Sequence, residues 1–313
     1  MEQVKVGMIG LGNRGYGLLK DAILKMPSVK VTAVCDVYAD RFENAVRLTQ
    51  EECGHTPFGT TDYRELLARE DVEAVVISCA WEGHIPVAVD AMRAGKAVGM
   101  EVGGAYSVKQ CWDLVDAYEE TGTPFMFLEN CCYGRRELMA LNMVKQGLFG
   151  EIIHCRGGYM HDLREEVGTG LEKRHYRLRN YKFRNAENYP THELGPIAKI
   201  LHINHGNRML TLTSMASRAE GMHAFAKERY PENENLVRAK FAQADVVNTI
   251  IKCAGGETIL LTPFLQQGFH RLRDEGHVRR RKRYGFSGRE IYGRRGVFFP
   301  EILGKCGRIR ERI

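Results

Sequence analysis

Lys5-Val6-Gly7-Met8-Ile9-Gly10-Leu11-Gly12-Asn13-Arg14-Gly15 is a short β-rich run, three glycines spaced G-x-G-x-x-G, and then a helical stretch. Each glycine in such a strand-to-helix turn has a physical purpose. Gly10 permits the tight turn, Gly12 lets a pyrophosphate approach the backbone, and Gly15 lets the helix pack close to the strand. The helix N-terminus adds unpaired N–H groups and the positive end of its dipole. A second β-run, Val29 to Cys35, ends in Asp36, about 20 residues on, as expected of the carboxylate that accepts hydrogen bonds from the adenosine ribose. A carboxylate there repels a 2′-phosphate, so the expected cofactor is NAD and not NADP.

Outward from this turn the chain keeps alternating between strand and helix. Tyr63 to Ala68 reads as a short helix and Ala74 to Ile77 as a strand ending at Ser78-Cys79-Ala80-Trp81-Glu82-Gly83-His84. Pro86 to Ala94 reads as helix, Lys96 to Met100 as strand, Val108 to Glu120 as helix and Pro124 to Leu128 as strand. Ligands of doubly wound sheets bind at strand C-termini, which makes Trp81, His84, Glu101 and Asn130 candidates for the nicotinamide end. The expected fold is α/β, with a Rossmann doubly wound parallel sheet over residues 1–128.

After Asn130 the pattern changes. Arg135 to Gln146 reads as an amphipathic helix with Leu138, Leu141, Val144 and Leu148 on one face, and Glu151 to Tyr159 reads as a strand. A polar stretch without clear period runs to Tyr189, followed by a helix over Glu193 to Ile203. Val246 to Ile251 and Thr258 to Leu261 flank Gly255-Gly256 as in a hairpin. Residues 129–262 are thus expected to form an α+β domain on an open, mostly antiparallel sheet.

Composition excludes several classes. The apolar content of 44% is that of a globular protein, and the longest apolar runs are far shorter than a membrane span. Val4 to Ile9 reads as a buried strand with no cleavage site behind it, and the nine cysteines show no C-x-x-C, so a cytoplasmic protein with reduced thiols is expected. From Pro263 to Ile313 there are 14 Lys+Arg against 5 Asp+Glu, while the rest of the chain holds 31 against 34. A mildly acidic body therefore carries a basic tail, including Arg279-Arg280-Arg281-Lys282-Arg283. His161 and Asp162, with His154 or His175, fit no familiar metal spacing, and no metal is expected.

The chain resembles the glucose–fructose oxidoreductase and inositol dehydrogenase (Gfo/Idh/MocA) superfamily and, within it, the family 109 glycoside hydrolases, NAD-dependent α-N-acetylgalactosaminidases. The likeness is carried by Gly10 to Gly15, Trp81 to His84, Gly95 to Val102, Leu128-Glu129-Asn130-Cys131-Cys132-Tyr133, Gly157 to Arg164, and Tyr189-Pro190-Thr191-His192-Glu193-Leu194-Gly195-Pro196. Two departures from the dehydrogenases favour the glycosidases. Glu101 is followed by Val102 and Gly103 where dehydrogenases carry Glu-Lys-Pro, and Asn188 stands where they tend to place an aspartate four residues before the catalytic histidine.

The resemblance implies a redox-neutral cycle. The sugar is oxidised at C3 by hydride transfer to NAD, the acidified C2 proton is removed, and the aglycone is eliminated from C1. Water then adds, and C3 is reduced again. No pair of opposed carboxylates is needed. The cofactor contacts it implies, with those of the motif, are Gly10, Gly12, Asn13, Arg14, Gly15, Asp36, Trp81, His84, Glu101, Val102, Asn130 and Tyr189. The implied sugar site is Tyr159, Arg177, Tyr189, Pro190, Thr191 and His192. His192 is the acid/base candidate, because imidazole titrates near neutral pH, and Tyr159 or Tyr189 is its partner. The implied partners are a small-molecule or glycan-terminal sugar and, in a homo-oligomer, a second copy, with neither nucleic acid nor membrane. The alternatives are an NAD-dependent sugar or cyclitol dehydrogenase and an inactive NAD-binding remnant.

The likeness stops near Thr262. Joining the last two codon bases of each residue to the first base of the next permits, from Pro263 onward, RFYSRGFTVxGTKGMYEEE, which looks like the family's continuation. The expectation is a frame shift there, leaving 263–313 as a basic tail that is out of frame and poorly ordered. The family's substrate site draws a tyrosine from that segment, and the tail lacks it.

Overall fold

The computed structural model describes residues 3–262 and, as backbone strands, Phe286–Gly293 and Gly296–Phe298. The chain divides into two compact units, Met1–Leu128 and Glu129–Ile313. Among the described residues no helix is long and apolar enough to cross a membrane.

The first unit holds strands β1 (Val4–Ile9), β2 (Val29–Cys35), β3 (Phe58–Thr60), β4 (Ala74–Ile77), β5 (Ala97–Met100) and β6 (Phe125–Phe127). Its helices are α1 (Asn13–Asp21), α2 (Ala39–Cys53), α3 (Tyr63–Leu67), α4 (Trp81–Arg93) and α5 (Val108–Thr121). The strands pair in parallel in the order β3-β2-β1-β4-β5-β6, with the order reversing beside β1. Both faces are covered, so neighbouring residues of one strand enter different cores. Met8 packs with Leu19, Val34 and Leu48, whereas Ile9 packs with Ile77, Ile85 and Met92. Burial on both faces explains why these strands read as continuous apolar runs.

One boundary differs from the sequence reading. Helix α4 begins at Trp81, not at Pro86, so Trp81 and His84 belong to its first turn and not to a loop. A proline one turn into a helix forgoes a single backbone bond. Side-chain bonds from Trp81 and His84 to the chain after β5 hold the turn in place.

The second unit holds β7 (Ile152–Met160), β8 (Met209–Ala216), β9 (Val247–Cys253), β10 (Thr258–Leu261), β11 (Phe286–Gly293) and β12 (Gly296–Phe298). Its helices are α6 (Arg135–Lys145), α7 (Arg164–Gly168), α8 (Arg177–Phe183), α9 (Pro190–Ile200), α10 (Gly221–Arg229) and α11 (Glu234–Val237). The sheet order is β12-β11-β7-β10-β9-β8; only β7 and β10 run parallel. The hairpin of β9 and β10 turns through Gly256, whose φ of +101° suits glycine.

Helices α6 and α9 cover one face, where Ala140, Met143, Ile197 and Ile200 pack on Cys155, Ile251 and Ile259. The buried stripe of α6 is therefore Ala140 and Met143, while Leu138 and Leu148 are exposed. The stretch before Tyr189, without period in sequence, contains the short helices α7 and α8. Strand β8 was not evident in sequence because seven of its eight residues are exposed and leave no alternation. Helix α9 starts three residues earlier than its apolar spacing indicates, with Pro190 in its first turn, where the missing N–H costs nothing.

Within the basic tail the backbone of two strands, β11 and β12, is described. Strand β11 pairs with β7 from Ile152 to Met160. A sheet edge offers unpaired N–H and C=O groups to any extended chain, whatever its side chains. The remaining residues of 263–313, and the frame-shift reading of them, lie outside the described residues.

Candidate active site

In the first unit the glycine turn is closed by backbone contacts. Gly10 has φ of +91°, and a Cβ on it would fall 2.3 Å from the Cys79 nitrogen. A Cβ on Gly15 would fall 1.9 Å from the Gly10 carbonyl oxygen, whereas one on Gly12 would meet nothing nearer than Arg41 Nη1 at 3.7 Å. Gly10 and Gly15 are thus needed by the protein itself, and Gly12 leaves open space at the start of α1. No side chain caps that helix, and its first turn holds no acidic residue. Asp36 is buried; its Oδ2 accepts the Leu11 N–H at 2.7 Å and its Oδ1 the Tyr38 N–H at 3.0 Å. An open, uncapped helix start beside a fixed carboxylate fits a dinucleotide.

Five other residues expected at the cofactor, Arg14, Trp81, His84, Glu101 and Val102, form a polar lattice after β4 and β5. Arg14 pairs with Glu101 at 2.6 Å, Glu101 accepts the Val102 N–H at 3.2 Å, and Trp81 Nε1 donates to the Val102 carbonyl at 3.1 Å. His84 is 1% exposed, with Nδ1 3.1 Å from the Gly103 carbonyl and Nε2 3.0 Å from the Cys79 carbonyl. Burial holds its pKa below the usual imidazole value. Its ring braces the Gly103 loop, a job the sequence did not indicate. Gly103 has φ of +106°, and a Cβ there would collide with the Trp81 ring.

In the second unit the expected sugar-site residues come together around His192. Tyr189 is the N-cap of α9, which puts Pro190, Thr191 and His192 in the first turn. The His192 ring lies 4.6 Å from the Tyr159 ring and stacks on Tyr189 at 5.2 Å and 11°. Tyr159 and Tyr189 are 5.2 Å apart, and His161 flanks both at 5.7 and 6.0 Å. The Arg177 guanidinium sits over the Tyr189 ring at 5.1 Å and pairs with Glu166 at 2.9 Å. Asn130, expected at the cofactor, is exposed on the 3-10 turn that follows β6.

Sequence reasoning missed the carboxylates behind this cluster. Glu129 Oε1 lies 2.7 Å from His192 Nδ1 and also accepts the Cys131 N–H at 2.9 Å. Burial alone would lower the His192 pKa, but bonds to Cys131 and to Glu129, with the latter's charge, push it up to about 9. Burial would raise that of Glu129, yet the bond and charge of His192, with help from Cys131 and Thr191, hold it below the usual carboxylate value. Burial pushes the Tyr159 hydroxyl up to about 12. Glu129 precedes Asn130 at the end of β6, so the rule that singled out Asn130 applied to it equally.

The histidines and aspartate weighed as metal ligands do not converge. Asp162 holds Arg164 at 2.9 and 2.8 Å, and His154 bonds Thr258 at 2.7 Å. Among the described residues, Glu129, Cys131 and His192 place ligand-type atoms within 4.8 Å of one another. The contact between Glu129 and His192 is that of a charge-assisted hydrogen bond.

Comparison with known proteins divides the chain where the structure does. Residues 4–128 match the oxidoreductase family, NAD-binding Rossmann fold, and residues 133–265 match the glycosyl hydrolase 109, C-terminal domain. A glycosyl hydrolase family 109 protein of Parabacteroides distasonis is 36% identical over 284 residues, covering 83% of this chain and 61% of the relative. An alpha-N-acetylgalactosaminidase of Shewanella oneidensis is 38% identical over 270 residues, covering 83% and 58%. One of Tannerella forsythia is 36% identical over 282 residues, covering 83% and 60%. The chain thus spans about three-fifths of the length of these curated relatives. Among solved structures, scyllo-inositol dehydrogenase from Lactobacillus casei with bound NAD(H) and scyllo-inositol superposes with TM-score 0.66 at 15% identity, covering 95% of this chain and 76% of that one. Myo-inositol 2-dehydrogenase from Lactobacillus plantarum gives TM-score 0.66 at 16% identity, covering 95% and 76%. At such identities the likeness is one of fold.

Proposed function

The chain belongs to glycoside hydrolase family 109, and from that premise we propose that it releases terminal α-N-acetylgalactosamine by a redox-neutral cycle that uses NAD. The observation that carries this reading is the packing of Tyr159, Tyr189 and His192 against one another, with Glu129 bonded to the histidine. The match of residues 4–128 to an NAD-binding fold supports the cofactor. Gly12 and the uncapped start of α1 would hold its pyrophosphate, and Asp36 its ribose. When bound, NAD supplies a reversible hydride acceptor for the sugar's C3 carbon.

The chain's own residues handle protons and position. With a pKa of about 9, His192 is an imidazolium at neutral pH, so it meets the substrate as a proton donor and a positive charge. Its neutral form takes the proton removed from C2, and the imidazolium so formed returns a proton to C2 after water has added. Tyr159, whose hydroxyl burial pushes up to about 12, stays protonated beside it, and both Tyr159 and Tyr189 orient hydroxyl groups of the sugar. An ordinary glycosidase needs two carboxyl groups facing each other across the scissile bond. Here Glu129 is bonded to His192, and Glu193 accepts the backbone N–H of Tyr159. That use of the carboxylates supports elimination over direct displacement. We further propose a cytoplasmic location and a small-molecule or glycan-terminal sugar as the partner.

Turnover in deuterium oxide tests the reading. Elimination and readdition exchange the C2 hydrogen with solvent, so released sugar should carry deuterium at C2. Released sugar with none there would mean direct displacement and overturn the cycle.

A further inference from the structure

We propose that His161 is a further substrate-binding residue of this site, whose Nε2–H donates a hydrogen bond to an acceptor oxygen of the sugar, either the acetamido carbonyl or a hydroxyl. The inference rests on the reading of Tyr159, Tyr189 and Arg177 as the sugar site, and adds to it a residue that the family resemblance did not mark.

Successive residues of a strand face opposite sides of the sheet. Cys155 packs with Ile197 of α9, and Gly157 lies against Glu193 and Ile197, so the odd-numbered side of β7 is the one that α9 covers. Tyr159 continues that side, and His161 follows directly after the strand ends at Met160. Its ring meets the Tyr159 ring edge-on, with centroids 5.7 Å apart and planes at 85°, and lies 6.0 Å from that of Tyr189. An imidazole therefore sits among the aromatic rings of the site.

Among the described residues, neither nitrogen of this ring is hydrogen-bonded to the protein. The carboxylates around it are engaged elsewhere. Asp162 holds Arg164 at 2.9 and 2.8 Å, Glu166 pairs with Arg177 at 2.9 Å, and Glu129 bonds His192. The ring is half-buried, and of its two nitrogens Nδ1 is sealed from solvent while Nε2 is not. Burial, with the charge of Arg177, holds its pKa below the usual imidazole value, so the ring is neutral at neutral pH and carries a single N–H. On Nδ1 that proton would be a buried donor with no acceptor, which costs the desolvation of the group outright. The proton is therefore assigned to Nε2, the nitrogen that a ligand can reach. A polar ring that the protein itself leaves unbonded, at a site for an oxygen-rich molecule, has its use in that molecule.

The test uses the full chain loaded with NADH, which cannot accept hydride and so leaves the sugar intact. The first readout needs no sugar. Nitrogen NMR spectra of the imidazoles at neutral pH should show His161 as the neutral tautomer protonated at Nε2. A ring protonated at Nδ1, or at both nitrogens, overturns the proposal. The second readout is calorimetric titration with N-acetylgalactosamine and with galactose. His161→Phe keeps a ring, loses the donor and should weaken N-acetylgalactosamine about threefold to tenfold. His161→Gln carries its amide N–H near the place of Nε2 and should recover binding, whereas His161→Asn carries it near Nδ1 and should not. Galactose weakened by the same factor in His161→Phe would assign the contact to a hydroxyl, and galactose unaffected would assign it to the acetamido carbonyl. Equal affinity of the full chain and a folded His161→Phe overturns the proposal and leaves the functional reading in place. Recovery by His161→Asn and not by His161→Gln overturns it as well. A full chain that binds neither sugar overturns the functional reading and this inference together. Should His161→Phe fail to fold, the tautomer and the contrast between His161→Gln and His161→Asn decide.

Discussion

His192 Nδ1 stands 2.7 Å from Glu129 Oε1, and each of these residues is 5% exposed. A buried imidazolium paired with a carboxylate fixes the ring and sets the pH at which it gives up its proton.

Removing the counter-charge should therefore move the pH profile. In Glu129→Gln the bond and charge that raise His192 are weakened while burial remains, so its pKa should fall from about 9 toward or below 6.5. The limb of the pH–rate profile that reports His192 should move down by more than one unit. An unmoved limb would separate the two residues.

The same pair makes stability depend on pH. A raised imidazole pKa contributes stability that is full below its unfolded value of 6.5 and lost as pH rises through about 9. The lowered carboxyl of Glu129 contributes stability that is present above 4.5 and lost as pH falls. The melting temperature should be highest between these limits and drop from pH 7 to 10, and Glu129→Gln should flatten that drop. Melting curves of the two proteins across this range check it.

Two neighbouring glycines should respond differently to alanine. Gly10→Ala places a Cβ inside the Cys79 backbone at positive φ and should destabilise the first unit by about 1–3 kcal/mol or more. Gly12→Ala meets no protein atom closer than 3.7 Å and should leave melting nearly unchanged while weakening NAD binding at least about tenfold, since it fills the approach to the pyrophosphate. Calorimetric titration with NAD alongside melting curves separates the two effects.

Asp36 holds the glycine turn and is the proposed partner of the ribose. Asp36→Ala removes the acceptor of the Leu11 N–H and should cost about 1–3 kcal/mol for a buried donor left unpaired. It should also narrow the preference for NAD over NADP, as competition binding would show.

The first unit was legible because its signals are local. The glycine spacing, the strand before it and Asp36 after the second strand each follow from the conformation of one short segment. Helix α9 was legible in kind and misplaced in extent, because its apolar spacing begins at Glu193 while Pro190 marks the actual start. Tyr159, Tyr189 and His192 were singled out by resemblance to a family, and the structure brings their rings together. What could not be read was pairing through space. Glu129 lies 63 positions from His192, and Glu193 lies 34 from Tyr159. Nothing in the local pattern of either carboxylate sets it apart from a surface one. The bonds also alter the chemistry, since a histidine chosen for titrating near neutrality holds its proton to about 9.

The most direct test of the account follows aglycone release and NADH formation together, with an aryl α-N-acetylgalactosaminide, the chain and NAD. The account predicts aglycone release without accumulating NADH, and a fall in rate of about a hundredfold or more in His192→Ala, as for loss of a general acid or base. NADH that accumulates while no aglycone appears would contradict it and make the protein a dehydrogenase. Bound NAD with neither signal would contradict it too, and leave an inactive remnant.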